Sequence, residues 1–68
     1  MTFRQGIPKT SGEYVVVLNT RAGREYEVVN FGLVERLGRR EFFIMENGEQ
    51  RVLDNVVAWD FVPDLRDA

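Results

Sequence analysis

Sixty-eight residues are enough for one small domain, near the lower limit at which a chain buries enough apolar surface to fold unaided. The chain has no Cys and no His, which excludes disulfides, thiolate metal ligands and imidazole bases and leaves core packing or an oligomer to hold the fold. Eleven acidic against nine basic side chains give a formal charge of −2, too little of either sign for a general attraction to nucleic acid or anionic membrane.

In chain order, residues 1–12 read as a lead-in punctuated by Gly6, Pro8 and the pair Ser11-Gly12, with Pro8 pushing Ile7 towards an extended conformation. Phe3 and Ile7 are the side chains expected to tuck against the domain as a lid. Residues 13–19 then form the first strand, around the β-branched run E-Y-V-V-V-L. Tyr14, Val16 and Leu18 share one face and Val15 and Val17 the other, so the strand has no hydrophilic side and calls for cover on both.

The segment Asn19-Thr20-Arg21-Ala22-Gly23 has hairpin length, and Gly23 can supply a positive φ at its end. From Arg24 the chain alternates polar and apolar, but Val28-Val29 breaks the period before apolar positions resume at Val29, Phe31 and Leu33. A one-residue slip of this kind predicts a β-bulge in the second strand. Residues 30–38 admit two readings: a strand running on to Val34 and turning at residues 36–39, or a short helix capped by Asn30 and ended by Gly38. Gly32 in the interior and the shortness of the segment count against the helix.

Residues 40–46 form another strand that is apolar on both faces, with Phe42 and Ile44 opposed to Phe43 and Met45. Asn47-Gly48, flanked by two glutamates, predicts a type I′ hairpin into a more polar strand at 49–53. Asp54-Asn55 turns the chain again. The last strand, 56–62, places Val57, Trp59 and Phe61 on one face and Val56, Ala58, Asp60 and Val62 on the other. Pro63 ends it, and 64–68 is expected to be a loose tail.

The whole is an all-β domain over residues 1–68: a small five-stranded antiparallel meander, either a strongly bent sheet or a partly open barrel of SH3-like size. With 44% hydrophobic residues on strands whose two faces are both apolar, one small sheet cannot hide its apolar surface alone, which points to an interface.

Chemistry is sparse. Ser11 stands alone in a turn without a base, and the glycines fall into no phosphate-binding spacing, so no catalytic group, cofactor or metal is expected. Glu25 and Glu27 lie at i, i+2 on one strand face, where a solvated face is a simpler account than an acid pair. Asp60, between Trp59 and Phe61, is either half-buried beside an Arg or on the outer face of an edge strand. Arg36, Arg39 and Arg40, next to Phe42 and Phe43, are interleaved as in a single-strand binder, but Glu35, Glu41 and Glu46 cancel their field. Eight of the nine cations are Arg, for which the codon usage of a GC-rich genome is the simplest account.

Ile7-Pro8, a turn, the Val-rich strand 14–18 and the closing Val56-Val57-Ala58-Trp59-Asp60-Phe61-Val62-Pro63 together resemble a family of short phage and prophage domains of unknown function. Those domains open with an aromatic segment and Leu-Pro and close on V-x-x-W with prolines. Val56–Trp59 and Pro63 match that closing, Phe3 stands for the opening aromatic, and Phe61 departs from it where the family has a first proline. The resemblance implies a viral or prophage origin and, from it, a protein that binds a host machine as anti-CRISPR and anti-restriction proteins do.

The expectation is therefore a non-enzymatic protein-binding module that inhibits a host protein or complex, with a homo-oligomeric structural or virion subunit as the alternative. Contacts would run through Glu25, Glu27, Glu35, Glu46 and Glu49 where the surface imitates phosphates, or through Arg36, Arg39 and Arg40 against an acidic partner. Residues 1–12 lack the apolar stretch of a signal peptide and no run reaches the length of a membrane span, so the expected location is the cytoplasm of a host cell, away from membranes.

Overall fold

In a computed structural model of the chain, residues 3–62 are described. They fold as one sheet of five antiparallel strands: β1 (Gly12–Thr20), β2 (Gly23–Val34), β3 (Arg39–Glu46), β4 (Glu49–Val52) and β5 (Val56–Phe61). No helix interrupts them among the described residues, and the segment 30–38 is the end of β2 followed by a turn at 35–38. Pro63 and the expected tail at 64–68 lie outside the described residues.

The sheet order is β4-β3-β2-β1-β5, so β1 to β4 form a meander and β5 crosses to the far side of β1. Local turn chemistry fixes the meander. Thr20 Oγ1 accepts from Ala22 N at 3.2 Å and donates to the Gly23 carbonyl at 2.9 Å, closing the first hairpin. Asn47 and Gly48 both take positive φ, 53° and 79°, as a type I′ turn demands. The crossover is fixed by Asn55, whose carbonyl accepts from Asn19 N and whose side-chain amide donates to the Asn19 carbonyl, both at 3.0 Å.

Placing β1 between β2 and β5 buries its apolar run. Tyr14, Val16 and Leu18 pack into a core with Val29, Phe31, Phe42, Leu53 and Trp59, while Val17 is buried on the opposite face. Although β2 and β1 lie between them in the sheet, β3 and β5 line a common cleft through Phe42, Val56 and Val57, which requires the sheet to bend around this core. It stays open, with β4 and β5 as its edges. The lead-in covers the mouth: Arg4 pairs with Trp59 through two backbone hydrogen bonds of 2.7 and 2.9 Å, and the Lys9 carbonyl accepts from Arg40 at 3.1 Å.

Three sequence expectations are corrected. The bulge is not in β2, whose register against β1 is continuous from Gly23 to Phe31; the shift lies in β5, where Val17 pairs with Ala58 and Leu18 with Val56. Val57 is the extra residue, and Val56 thereby joins the core face with Trp59 instead of opposing it. The apparent slip at Val28-Val29 arises because Val28 faces outward and stays exposed. In the lead-in, Pro8 is the buried plug and Ile7 is exposed, since Pro8 follows the bend that carries the chain across the core. Phe3 does tuck against the domain, half-buried on Tyr26 of β2 with ring centroids 5.6 Å apart.

Candidate interaction surfaces

The three arginines of the expected basic patch are drawn apart by their partners. Arg39 Nε donates to Glu41 Oε1 at 2.9 Å. Arg40 lies with its guanidinium 5.0 Å from the centre of the Phe31 ring and donates to the Lys9 carbonyl of the lead-in, while the residue as a whole stays exposed. Arg36 points its turn at β4, in a shallow hollow shared with Glu46, Glu49 and Arg51. There Glu46 is bound by Arg51, and Glu35 borders an adjoining hollow with Arg36 and Glu49. Glu35, Glu46, Glu49 and Arg36 are thus brought together, but as a mixed-sign cluster with little net field.

Glu25 and Glu27 stand apart from that cluster. They pair with Leu18 and Val16 across the β1–β2 ladder and so share the core-side face of β2, about 7 Å apart along the strand, and both are exposed. Tyr26 and Val28 point to the outer face, opposite Val17 and Val15. They are exposed at 68% and 51%, and Met45 on β3 at 55%.

Along its length β2 changes neighbours. Residues 23–31 pair with β1 on one side, but pairing with β3 on the other begins only at Asn30. Over 23–29 that second edge carries no strand among the described residues, because β3 leaves it to pair with β4 from Phe43 to Glu46. Unpaired backbone donors and acceptors, an acidic pair on one face and Tyr26 with Val28 on the other therefore meet in one six-residue stretch.

A second surface was invisible in the sequence. Arg4 lies over Phe61 at 5.0 Å and beside Trp59 at 5.8 Å, and its Nε is 3.9 Å from Asp60 Oδ1. Asp60 lies on β5, an edge strand, yet its carboxylate is largely shielded beside this Arg and accepts from its neighbour Phe61 N at 2.8 Å, so features of both sequence readings coexist. Tyr14, Trp59 and Phe61 stack edge to face or tilted within 6 Å of one another, and with the lead-in they wall a cleft of about 510 Å³. Nothing in the spacing of Arg4 and Trp59, at opposite ends of the chain, could have announced this; it required knowing that the lead-in pairs with β5.

No group of three or more Asp or Glu that could hold a metal occurs among the described residues. No protein-family model, curated protein or solved structure matches the chain.

Proposed function

We propose that this chain is a non-enzymatic protein-binding module whose partner docks along residues 24–29 of β2 by adding an extended segment to the open edge. The observation that carries the proposal is that edge, unpaired in the same stretch where Tyr26 and Val28 are exposed. Strand addition draws affinity from main-chain hydrogen bonds and selectivity from the alternating side chains. An isolated edge usually carries charge to discourage indiscriminate pairing, and Glu25 and Glu27 do so here. A matching segment accordingly brings Lys or Arg to the acidic face and apolar side chains to Tyr26 and Val28. Of the candidate acids, Glu25 and Glu27 make contact in this proposal, whereas Glu46 is engaged with Arg51.

The non-enzymatic character rests on the absence of His and Cys. A bacterial host protein in the cytoplasm, such as a defence nuclease complex that the module inhibits, is the partner suggested by the resemblance of Val56–Trp59 and Pro63 to phage domains. The experiment is capture of partners from bacterial lysate by wild type and by Val28→Glu in parallel. A host complex retained by wild type and lost by the variant is expected; a complex retained equally by both sinks the proposal for this edge.

The same edge favours a second reading, in which the added strand is β2 of another copy, related by a two-fold axis as a structural subunit would be. Light scattering across a concentration series decides: a dimer abolished by Val28→Glu selects this reading, and a strict monomer rejects it.

A further inference from the structure

The cleft between the lead-in and β5 has a different character from the β2 edge, and we propose that it binds a small aromatic anion, a flat ring bearing a phosphate or carboxylate. Its walls are aromatic: Tyr14, Trp59 and Phe61 contribute ring surface, with Phe61 exposed at 54%. Its charged lining is cationic, Arg4 and Lys9, both supplied by the lead-in. At about 510 Å³ it falls within the size range of small-ligand sites.

Two observations favour an anion. Asp60, the acid nearest Arg4, stands 3.9 Å from Nε, an ion-pair separation too long for a hydrogen bond, and its Oδ1 already accepts from Phe61 N. Independently, the indole N–H of Trp59, a residue 7% exposed that lines the cleft, has no acceptor among the described residues. A buried donor without an acceptor is uncommon in a folded protein and costs free energy until it is paired. The nitrogen itself is closed to solvent in this structure, so an anionic oxygen held by Arg4 and Lys9 reaches it only through a small shift of the indole or the lead-in, and the ring the anion carries stacks against the aromatic wall. Tyr14 does not compete, because its hydroxyl donates to the Thr10 carbonyl at 2.7 Å.

Trp59 is the only tryptophan, so a nitrogen-15 spectrum contains one indole N–H signal and reports on this site alone. Phenyl phosphate and phenylacetate are titrated separately, to distinguish the two kinds of anion, with phenol and inorganic phosphate as the two halves of the ligand. The expected result is a saturable downfield displacement of the indole signal by at least one of the two aromatic anions and little response to either half. Lys9→Glu, a change at an exposed side chain, should weaken that binding at least tenfold while leaving the melting temperature close to wild type, and Lys9→Gln should fall between. No displacement by either aromatic anion overturns the proposal, as does an equal response to phenol or phosphate alone, or binding unchanged in Lys9→Glu.

Discussion

β1 and the first half of β2 are hydrogen-bonded neighbours that each carry a tyrosine and valines, and those side chains end up in opposite environments. Tyr14 on β1 is 4% exposed and Tyr26 on β2 is 68% exposed. The difference lies in what flanks and covers each strand. β1 has β2 on one side and β5 on the other, with the lead-in lying across its core face; β2 over 23–29 has β1 alone. Burial in this sheet follows position in the strand order as well as composition, since the half-paired stretch also carries Arg24, Glu25 and Glu27. An apolar strand that the order leaves half-paired becomes surface, and such surface suits a partner.

Substitutions that compare the two strands test this directly. The largest loss is expected where β2 passes its second half into the core: Phe31→Ala removes a fully buried ring stacked 4.9 Å from Phe42 and should cost about 3–5 kcal/mol. For a domain this small, that is comparable with its total stability, so urea melts should show the variant largely unfolded. Next comes one substitution made at two sites. Val16→Thr places a hydroxyl among apolar neighbours and should cost about 1–3 kcal/mol, whereas Val28→Thr should change stability by less than about 0.5 kcal/mol. Equal effects in chemical denaturation would mean that the outer face of β2 is covered after all.

Most of the strand pattern was legible because local signals carried it. Asn47-Gly48 demanded its turn, and the run Tyr14–Leu18 demanded cover on both faces, which β1 receives. What was not legible is long-range. The slip at Val28-Val29 looked like a bulge because alternation was read as if one face of every strand had to be buried; Val28 instead lies on the outer face, which the described chain covers at Val17 and leaves half-open at Val28. The true bulge, at Val57, accommodates the pairing of β5 with β1 and has no periodic signature of its own in a segment where nearly every residue is apolar. The arginines show the same limit. Arg36, Arg39 and Arg40 form a patch in sequence, and their partners Glu41, Lys9 and the rim of β4 disperse it in space.

The smallest expected effect is also the sharpest comparison, since it removes one atom from each tyrosine. In Tyr14 the hydroxyl donates to the Thr10 carbonyl at 2.7 Å and lies 3.1 Å from Thr10 Oγ1, so it fastens the lead-in to the start of β1. Tyr14→Phe leaves the ring contacts with Phe31 and Trp59 in place and should cost about 0.5–1.5 kcal/mol, the net value of one intramolecular hydrogen bond. Tyr26→Phe should leave the denaturation midpoint where it is, because the hydroxyl of an exposed ring exchanges one water contact for another. Hydrogen exchange separates the causes further: Tyr14→Phe should speed exchange at Arg4, whose N–H is bonded to the Trp59 carbonyl, while the amides of β1 keep their ranking. If Tyr14→Phe left both stability and Arg4 exchange unchanged, the lead-in would be held by Pro8 and the Arg4 bridge alone, and the cover over β1 would owe nothing to Tyr14.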